Sequence, residues 1–263
     1  MSTPTHTLHD SATMLRRNLR HQVRYLSVTV MLIMMPIVFL LLFVFVLGGT
    51  MGAGIAGVGG GRREYLAYIA PGVLIVAIAA IAQGTAISVA TDMTEGIVAR
   101  FRTMAISRAA VLSGHVGGAV LQTVAGLVVV TVVAIAIGLR PSAGAVEWVA
   151  AFGVLVMIAV ALPWLSVALG VVAKSIESAS NLPMFLLLLP FLSSGFVPTD
   201  SLPSGAGWIA EHQPFTPFIE TVRGLLMGTP IGTSGVQTVL WCVAITLAGY
   251  WWARSQYERR SVR

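Results

Sequence analysis

Between Leu26 and Leu47 the chain reads LSVTVMLIMMPIVFLLLFVFVL, 22 consecutive positions without a charged side chain. Crossing a hydrocarbon layer of roughly 30 Å takes about 20 apolar residues in a helix, and comparable runs recur along the sequence. No other feature constrains the fold as strongly. Hydrocarbon offers the backbone no hydrogen-bond partner, so an apolar run of this length satisfies its own N–H and C=O groups by folding as a helix. The composition agrees: 263 residues, 56% hydrophobic, only 10% charged, with a mean hydropathy of +0.87. A soluble domain carries about 25% charged residues. The expected fold is an all-α integral membrane protein.

Six transmembrane helices are expected, at about 26–48, 65–90, 115–139, 148–173, 179–197 and 236–253. The fifth is interrupted by Pro183 and Pro190, and its apolar run from Leu182 to Val197 is short for a full crossing. The first is much longer than the roughly 7–15-residue core of a signal peptide, so it is expected to be a permanent span. Ahead of it, Leu8, Ala12, Leu15, Leu19, Val23 and Leu26 recur every three or four residues, with Arg16, Arg17, Arg20 and Arg24 between them. That pattern predicts an amphipathic helix over 8–24 lying in the membrane interface; the alternative is a solvated tail.

Orientation follows from the basic residues, which accumulate in cytoplasmic segments. With the N-terminus inside, twelve of the sixteen Lys and Arg residues fall on the inner side, and only Arg62, Arg63, Arg140 and Arg223 lie outside. Both termini are expected in the cytoplasm. The same placement beside spans argues against nucleic acid as the target of the +6 net charge. The outer segment 198–235 contains Phe218, Val222, Leu225 and Leu226 on one helical face, opened by Pro217 and closed by Gly228. It predicts a short re-entrant helix between the last two spans.

The chemistry of an enzyme is missing. No H-E-x-x-H or G-x-S-x-G motif occurs. The single lysine, Lys174, follows Ala173 where a phosphate-binding loop needs glycine. The single cysteine, Cys242, sits in an apolar run and reads as a packing residue. Ion-coupled carriers depend on ionisable side chains within their spans; here Gln83 and Gln122 are the most polar residues deep in the apolar runs. A secondary transporter is therefore the weaker alternative.

Charge concentrates instead in DMTEGIVARFRTMAISRAAVLSGH, from Asp92 to His115. Asp92, Glu95, Arg100, Arg102 and Arg108 fall within 17 residues. Ile97, Phe101, Met104 and Ala105 form an apolar stripe with arginines beside it, a face and a charged rim suited to docking on a soluble partner. The plainer reading is a loop that only fixes topology.

This stretch resembles the cytoplasmic segment of type-2 ATP-binding-cassette (ABC) export permeases, through Glu95-Gly96, Arg100-Phe101-Arg102 and Ser107-Arg108. Ala105 stands where that family often has proline. A second match, SSGFVPTDSLP followed by EHQPFTPFIETVRGLLMG, is similar to the family's late outer signature. It carries Ser194, Gly195, Pro198, Pro203, Gln213, Pro214, Pro217, Arg223 and Gly228. Together the two matches resemble the daunorubicin/doxorubicin-resistance-type permeases.

The resemblance implies a single permease domain over 1–263 in a bacterial cytoplasmic membrane, working as a dimer, homomeric or with a paralogue. Two separate ATPase subunits would bind beneath it, holding ATP and Mg, with no cofactor in this chain. Residues 92–113 would be the coupling segment. A lipophilic or amphipathic substrate would move outward between the two chains, along walls from the first, second and fifth spans. Gln83 and Gln122 are the candidate contacts on that path. The same fold exporting a lipid or lipid-linked glycan is the alternative.

Overall fold

The computed structural model describes residues 4–24, 26–51, 61–95, 108–198 and 203–260. Every regular element among them is helical: α1 (Pro4–Arg24), α2 (Leu26–Leu42), α3 (Arg62–Thr94), α4 (Arg108–Ala136), α5 (Ala145–Val172), α6 (Ile176–Asn181), α7 (Met184–Leu188), α8 (Ser204–His212), α9 (Phe215–Met227) and α10 (Ser234–Arg260). A π-helical turn, Phe43–Leu47, extends α2, and a 3₁₀ turn, Leu189–Leu192, extends α7.

Five helices are long and apolar enough to cross a membrane: Leu26–Met51, Arg62–Thr94, Ala110–Ala136, Ala145–Val172 and Ser234–Arg259. The expected fifth span, 179–197, is not among these five long helices. In its place stands the shorter apolar stretch Ile176–Leu192, broken as its prolines require. Leu182 N–H reaches Ser178 O at 2.9 Å, and Leu186 N–H then takes Pro183 O, one residue nearer than an α-helix uses. A proline has no N–H to continue the ladder, so Pro183 separates α6 from α7. Pro190 enters the 3₁₀ turn, and the helix ends at Leu192.

The axis of the bundle is α3, buried along almost its whole length. Its sequence APGVLIVAIAAIAQGTAISVA is dense in Ala and Gly, which lets neighbouring backbones approach closely. A Cβ on Gly170 of α5 would stand 2.5 Å from Ala86 O, and one on Gly72 of α3 would stand 3.0 Å from Gly195 O. By contrast, α2, α4 and α10 turn large apolar side chains outward, among them Val28, Met31, Val128, Val132, Val236, Leu240 and Leu247. Surfaces of that kind are suited to lipid or to another apolar chain.

The packing also sorts the two ends of the bundle. At one end Val89, Leu112, Val116, Val167, Val171, Ala253 and Tyr257 form an apolar cluster. Ala90, Ala173 and Ala179 pack together beside these residues. Asp92, Lys174 and Arg254 therefore share an end. The opposite end holds Tyr65, Leu139 and Leu226, neighbours of Arg140 and Arg223. This grouping agrees with the division of basic residues made from the sequence.

The α1 helix meets the bundle by a face that overlaps only the edge of its apolar stripe. Met14 and Asn18 are buried, whereas Ala12 and Val23 of the stripe are exposed. The contact is a row of glycine notches on α4. Cβ atoms added to Gly114, Gly117 and Gly118 would stand 2.6 Å from Met14 Cβ, 3.2 Å from Leu15 Cδ1 and 3.2 Å from Asn18 Cβ. Leu15 and Leu19 of the stripe are half-buried at the edge of this seat, and Ala12 and Val23 are left exposed.

Candidate functional site

Two clusters of polar side chains hold this bundle, one at each end. At the first, three helices converge on Asp92, near the C-terminal end of α3. Arg17 of α1 makes a two-pronged ion pair with it, Nη1–H to Oδ2 at 2.7 Å and Nη2–H to Oδ1 at 2.9 Å. His115 of α4 places Nε2 3.2 Å from the same Oδ2. Asp92 and His115 are buried, and Arg17 is half-buried. A guanidinium fork on a carboxylate is among the strongest side-chain pairings because both charges share two parallel hydrogen bonds. The Asp92 carboxylate correspondingly raises the Arg17 guanidinium above its ordinary value. Ser11 and Ser113 hydroxyls, 3.3 Å apart, add a second tie between α1 and α4.

This clasp sits at the root of the charged stretch. Glu95, exposed, closes α3 through its N–H to Thr91 O at 2.9 Å, and Arg108 opens α4. Gly96, Arg100, Phe101, Arg102 and Ser107 lie outside the described residues. Both ends of the segment are therefore anchored within a few residues of the Arg17–Asp92–His115 group. Sequence reasoning counted Asp92 among the charges of the segment and Arg17 among several interfacial arginines, and gave His115 no partner. No local signal pairs side chains 75 positions apart; only the docking of α1 on α4 does.

Beside the clasp is a cavity of about 520 Å³, lined on one side by Arg17, Asn18, His21 and Gln22 of α1 and on another by Ser88, Thr91, Asp92 and Glu95 of α3. Gln122 lines it as well and donates to Thr29 Oγ1 at 3.1 Å. Gln83 faces elsewhere: its amide donates to Ser180 O at 2.9 Å, joining α3 to α6.

The second cluster gathers most of the outer signature. The break after α7 leaves backbone carbonyls without helical partners, and side chains take their place. Gln213 donates to Leu189 O at 3.0 Å and Leu192 O at 2.8 Å. Arg223 reaches Tyr68 O at 3.1 Å and Ser194 O at 2.6 Å, with its guanidinium carbon 4.0 Å from the centre of the Tyr68 ring. Gly195 packs its backbone on Gly72, where any side chain would push α3 away. Pro214 is the residue before α9, and Pro217 lies in its first turn, so α9 opens at Phe215, two residues before the expected start. Gly228 closes it in the left-handed conformation, φ +71°, which glycine adopts without the clash a Cβ brings. Pro198 and Pro203 border the described residues. Of the expected apolar face, Phe218, Val222 and Leu226 are buried and Leu225 is half-buried. These residues seat α9 against α3, α5 and the broken segment, a role in holding shape rather than in binding.

The chain is 31% identical over 199 residues to a daunorubicin resistance ABC transporter permease protein of Streptomyces coeruleorubidus, covering 75% of this chain and 68% of the relative. It is 23% identical over 163 residues to a probable doxorubicin resistance ABC transporter permease protein of Mycobacterium tuberculosis, covering 61% and 58%. Residues 10–227 match the ABC-2 type transporter family, a range that takes in the clasp, the charged segment and the outer signature as far as Met227. The chain is a multi-pass membrane permease and belongs to the ABC-2 type transporter family.

Proposed function

We propose that this chain is the membrane half of an ATP-driven exporter that moves an amphipathic or lipophilic substrate, a drug or natural product, out of the cytoplasm or inner leaflet. Two copies, or one copy and a paralogue, form the translocation path. Two ATPase subunits dock beneath on residues 92–113 and bind ATP and Mg. The bilayer is a bacterial cytoplasmic membrane, with both termini inside and residues 198–235 dipping into the outer leaflet. Membership of the ABC-2 family implies an ABC ATPase as partner; the drug class follows the relatives named for daunorubicin and doxorubicin resistance.

One observation carries the coupling part of this reading: the Arg17–Asp92–His115 clasp. A segment pushed by a partner transmits force only if its ends are fixed to elements that move with it. Here the two ends are fixed to each other and to α1 by charged hydrogen bonds. Closure of the ATPase pair would thus displace α1, α3 and α4 as a unit, a rigid-body switch between two states. The decisive experiment is ATPase activity of the reconstituted complex with a panel of lipophilic drugs and lipids. Stimulation by drugs supports the reading. Stimulation by lipids alone moves the substrate to the lipid class, and transport in the absence of any ATPase removes the mechanism.

A further inference from the structure

The cavity beside the clasp has a division of chemistry that none of the export mechanism uses. Its α1 wall is basic and rich in donors: Arg17, Asn18, His21 and Gln22. Its α3 wall ends in two carboxylates, Asp92 and Glu95. The rest of the lining sets apolar Val28 and Leu32 of α2, Ile87 and Gly84 beside the polar Thr29, Thr85, His115 and Gln122. Val28 is also 56% exposed on the outer surface of the bundle, so the apolar part of the lining continues onto the face suited to lipid. About 520 Å³ lies within the roughly 300–1,000 Å³ of small-molecule sites.

An occupant complementary to this cavity carries an anion and a cation a few bonds apart, with an apolar tail leaving past Val28. We propose that the cavity binds the headgroup of a zwitterionic aminophospholipid, phosphatidylethanolamine in chemical class. Its phosphodiester faces the Arg17, Asn18 and Gln22 donors, and its primary ammonium faces Glu95 and Asp92. An ammonium offers three N–H donors to carboxylates; a trimethylated choline offers none. An anionic headgroup lacking the amine meets Glu95 and Asp92 with no compensating charge. Arg17 keeps its fork on Asp92, so the bound lipid joins an existing ion pair and rests against the element at the base of the charged segment. The proposal relies on α1 lying in the inner membrane interface, as the proposed function has it.

The test uses the purified full chain in nanodiscs of defined composition, with trace lipid carrying a photoreactive group near the glycerol end of one acyl chain. Phosphatidylethanolamine, phosphatidylcholine and phosphatidylglycerol versions are compared, and crosslinked peptides are mapped. Labelling of the 17–32 and 84–95 peptides by the ethanolamine lipid should exceed that by the other two by about five-fold, the ratio equivalent to about 1 kcal/mol. Glu95→Lys should bring the ratio to near one, whereas Glu177→Lys, an exposed carboxylate on α6 outside the cavity, should leave it intact. Equal labelling by all three lipids, or a ratio untouched by Glu95→Lys, overturns the proposal. Displacement of the label by water-soluble glycerophosphoethanolamine makes the occupant a free phosphoamine, and displacement by doxorubicin makes it a drug site; either overturns the lipid assignment. Failure of the underlying reading is separately visible: a cysteine at His21 modified from outside intact cells would place α1 on the wrong side, whatever the labelling ratios.

Discussion

At the scale of single residues, charges in this chain do two different jobs, distinguished by burial. Arg223 is half-buried and ties the Ser194 carbonyl, left behind by the broken helix, to the Tyr68 carbonyl of α3. Arg223→Leu removes this tie and is expected to lower stability by about 1–3 kcal/mol, the cost of leaving the Ser194 acceptor buried and unpaired. Arg223→Lys should recover only part of the loss, because a single ammonium does not reproduce the guanidinium fork; thermal unfolding in detergent measures both. The charges proposed for coupling behave in the opposite way. An exposed charge contributes within about 0.5 kcal/mol to stability, but at a desolvated interface its loss costs roughly 2–5 kcal/mol. Glu95→Ala, Gly96→Val, Arg102→Ala and Arg108→Ala are therefore expected to leave expression and dimerisation near normal while weakening ATPase binding or transport. If all four transport normally, the segment serves topology alone.

At the scale of elements, α1 is the informative case. Its heptad-like apolar stripe announces an interfacial helix, yet its seat is made by glycines on the opposite partner. Gly114 is the tightest notch, since an added Cβ would meet Met14 Cβ at 2.6 Å and the Met14 backbone at 3.2 Å. Gly114→Val is expected to lift α1 off α4 and open the Arg17–Asp92 pair. With Cys242 first replaced by alanine, cysteines at Ser11 and Ser113, whose oxygens are 3.3 Å apart, should form a disulfide in the parent protein. In the Gly114→Val background the yield should fall several-fold, in keeping with the narrow geometry a disulfide tolerates. Undiminished crosslinking would show that α1 is held by other contacts. The broken α6–α7 segment illustrates the complementary point: its two prolines make the interruption necessary, and its neighbours supply the replacement hydrogen bonds.

At the scale of the whole molecule, the positive-inside bias and the sorting of the bundle's ends make one prediction about orientation. Cysteines at Gly60 and Ser204 should react with an impermeant thiol reagent in intact cells, and one at Ser107 should not. Labelling of the Ser107 site from outside would reverse the topology and detach the charged segment from any cytoplasmic partner. Energy supply makes another. Without a glycine loop to cradle phosphates, the purified chain alone should turn over no ATP. Steady hydrolysis by a preparation free of ATPase subunits would dispense with the partner.

The membrane class and the helical class of this protein follow from sequence alone, because a run of apolar residues long enough to cross a bilayer has one way to satisfy its backbone. The close of α9 at Gly228, the prolines that break the fifth apolar run and the family were legible for the same reason: each depends on residues adjacent in the chain. What the sequence could not show is which residues meet across the bundle. Arg17, Asp92 and His115 come from three helices, and nothing local distinguishes Arg17 from Arg16 or Arg20. Its role is decided by the glycine notches of α4, which turn one face of α1 onto the bundle and leave the others outside. Arg223 likewise reads as an outer-loop charge until packing brings it to Ser194 O beyond the break and to Tyr68 O of α3. Hydrophobic periodicity is a property of one helix, whereas a buried ion pair depends on the distance between two, and tertiary packing alone sets that distance.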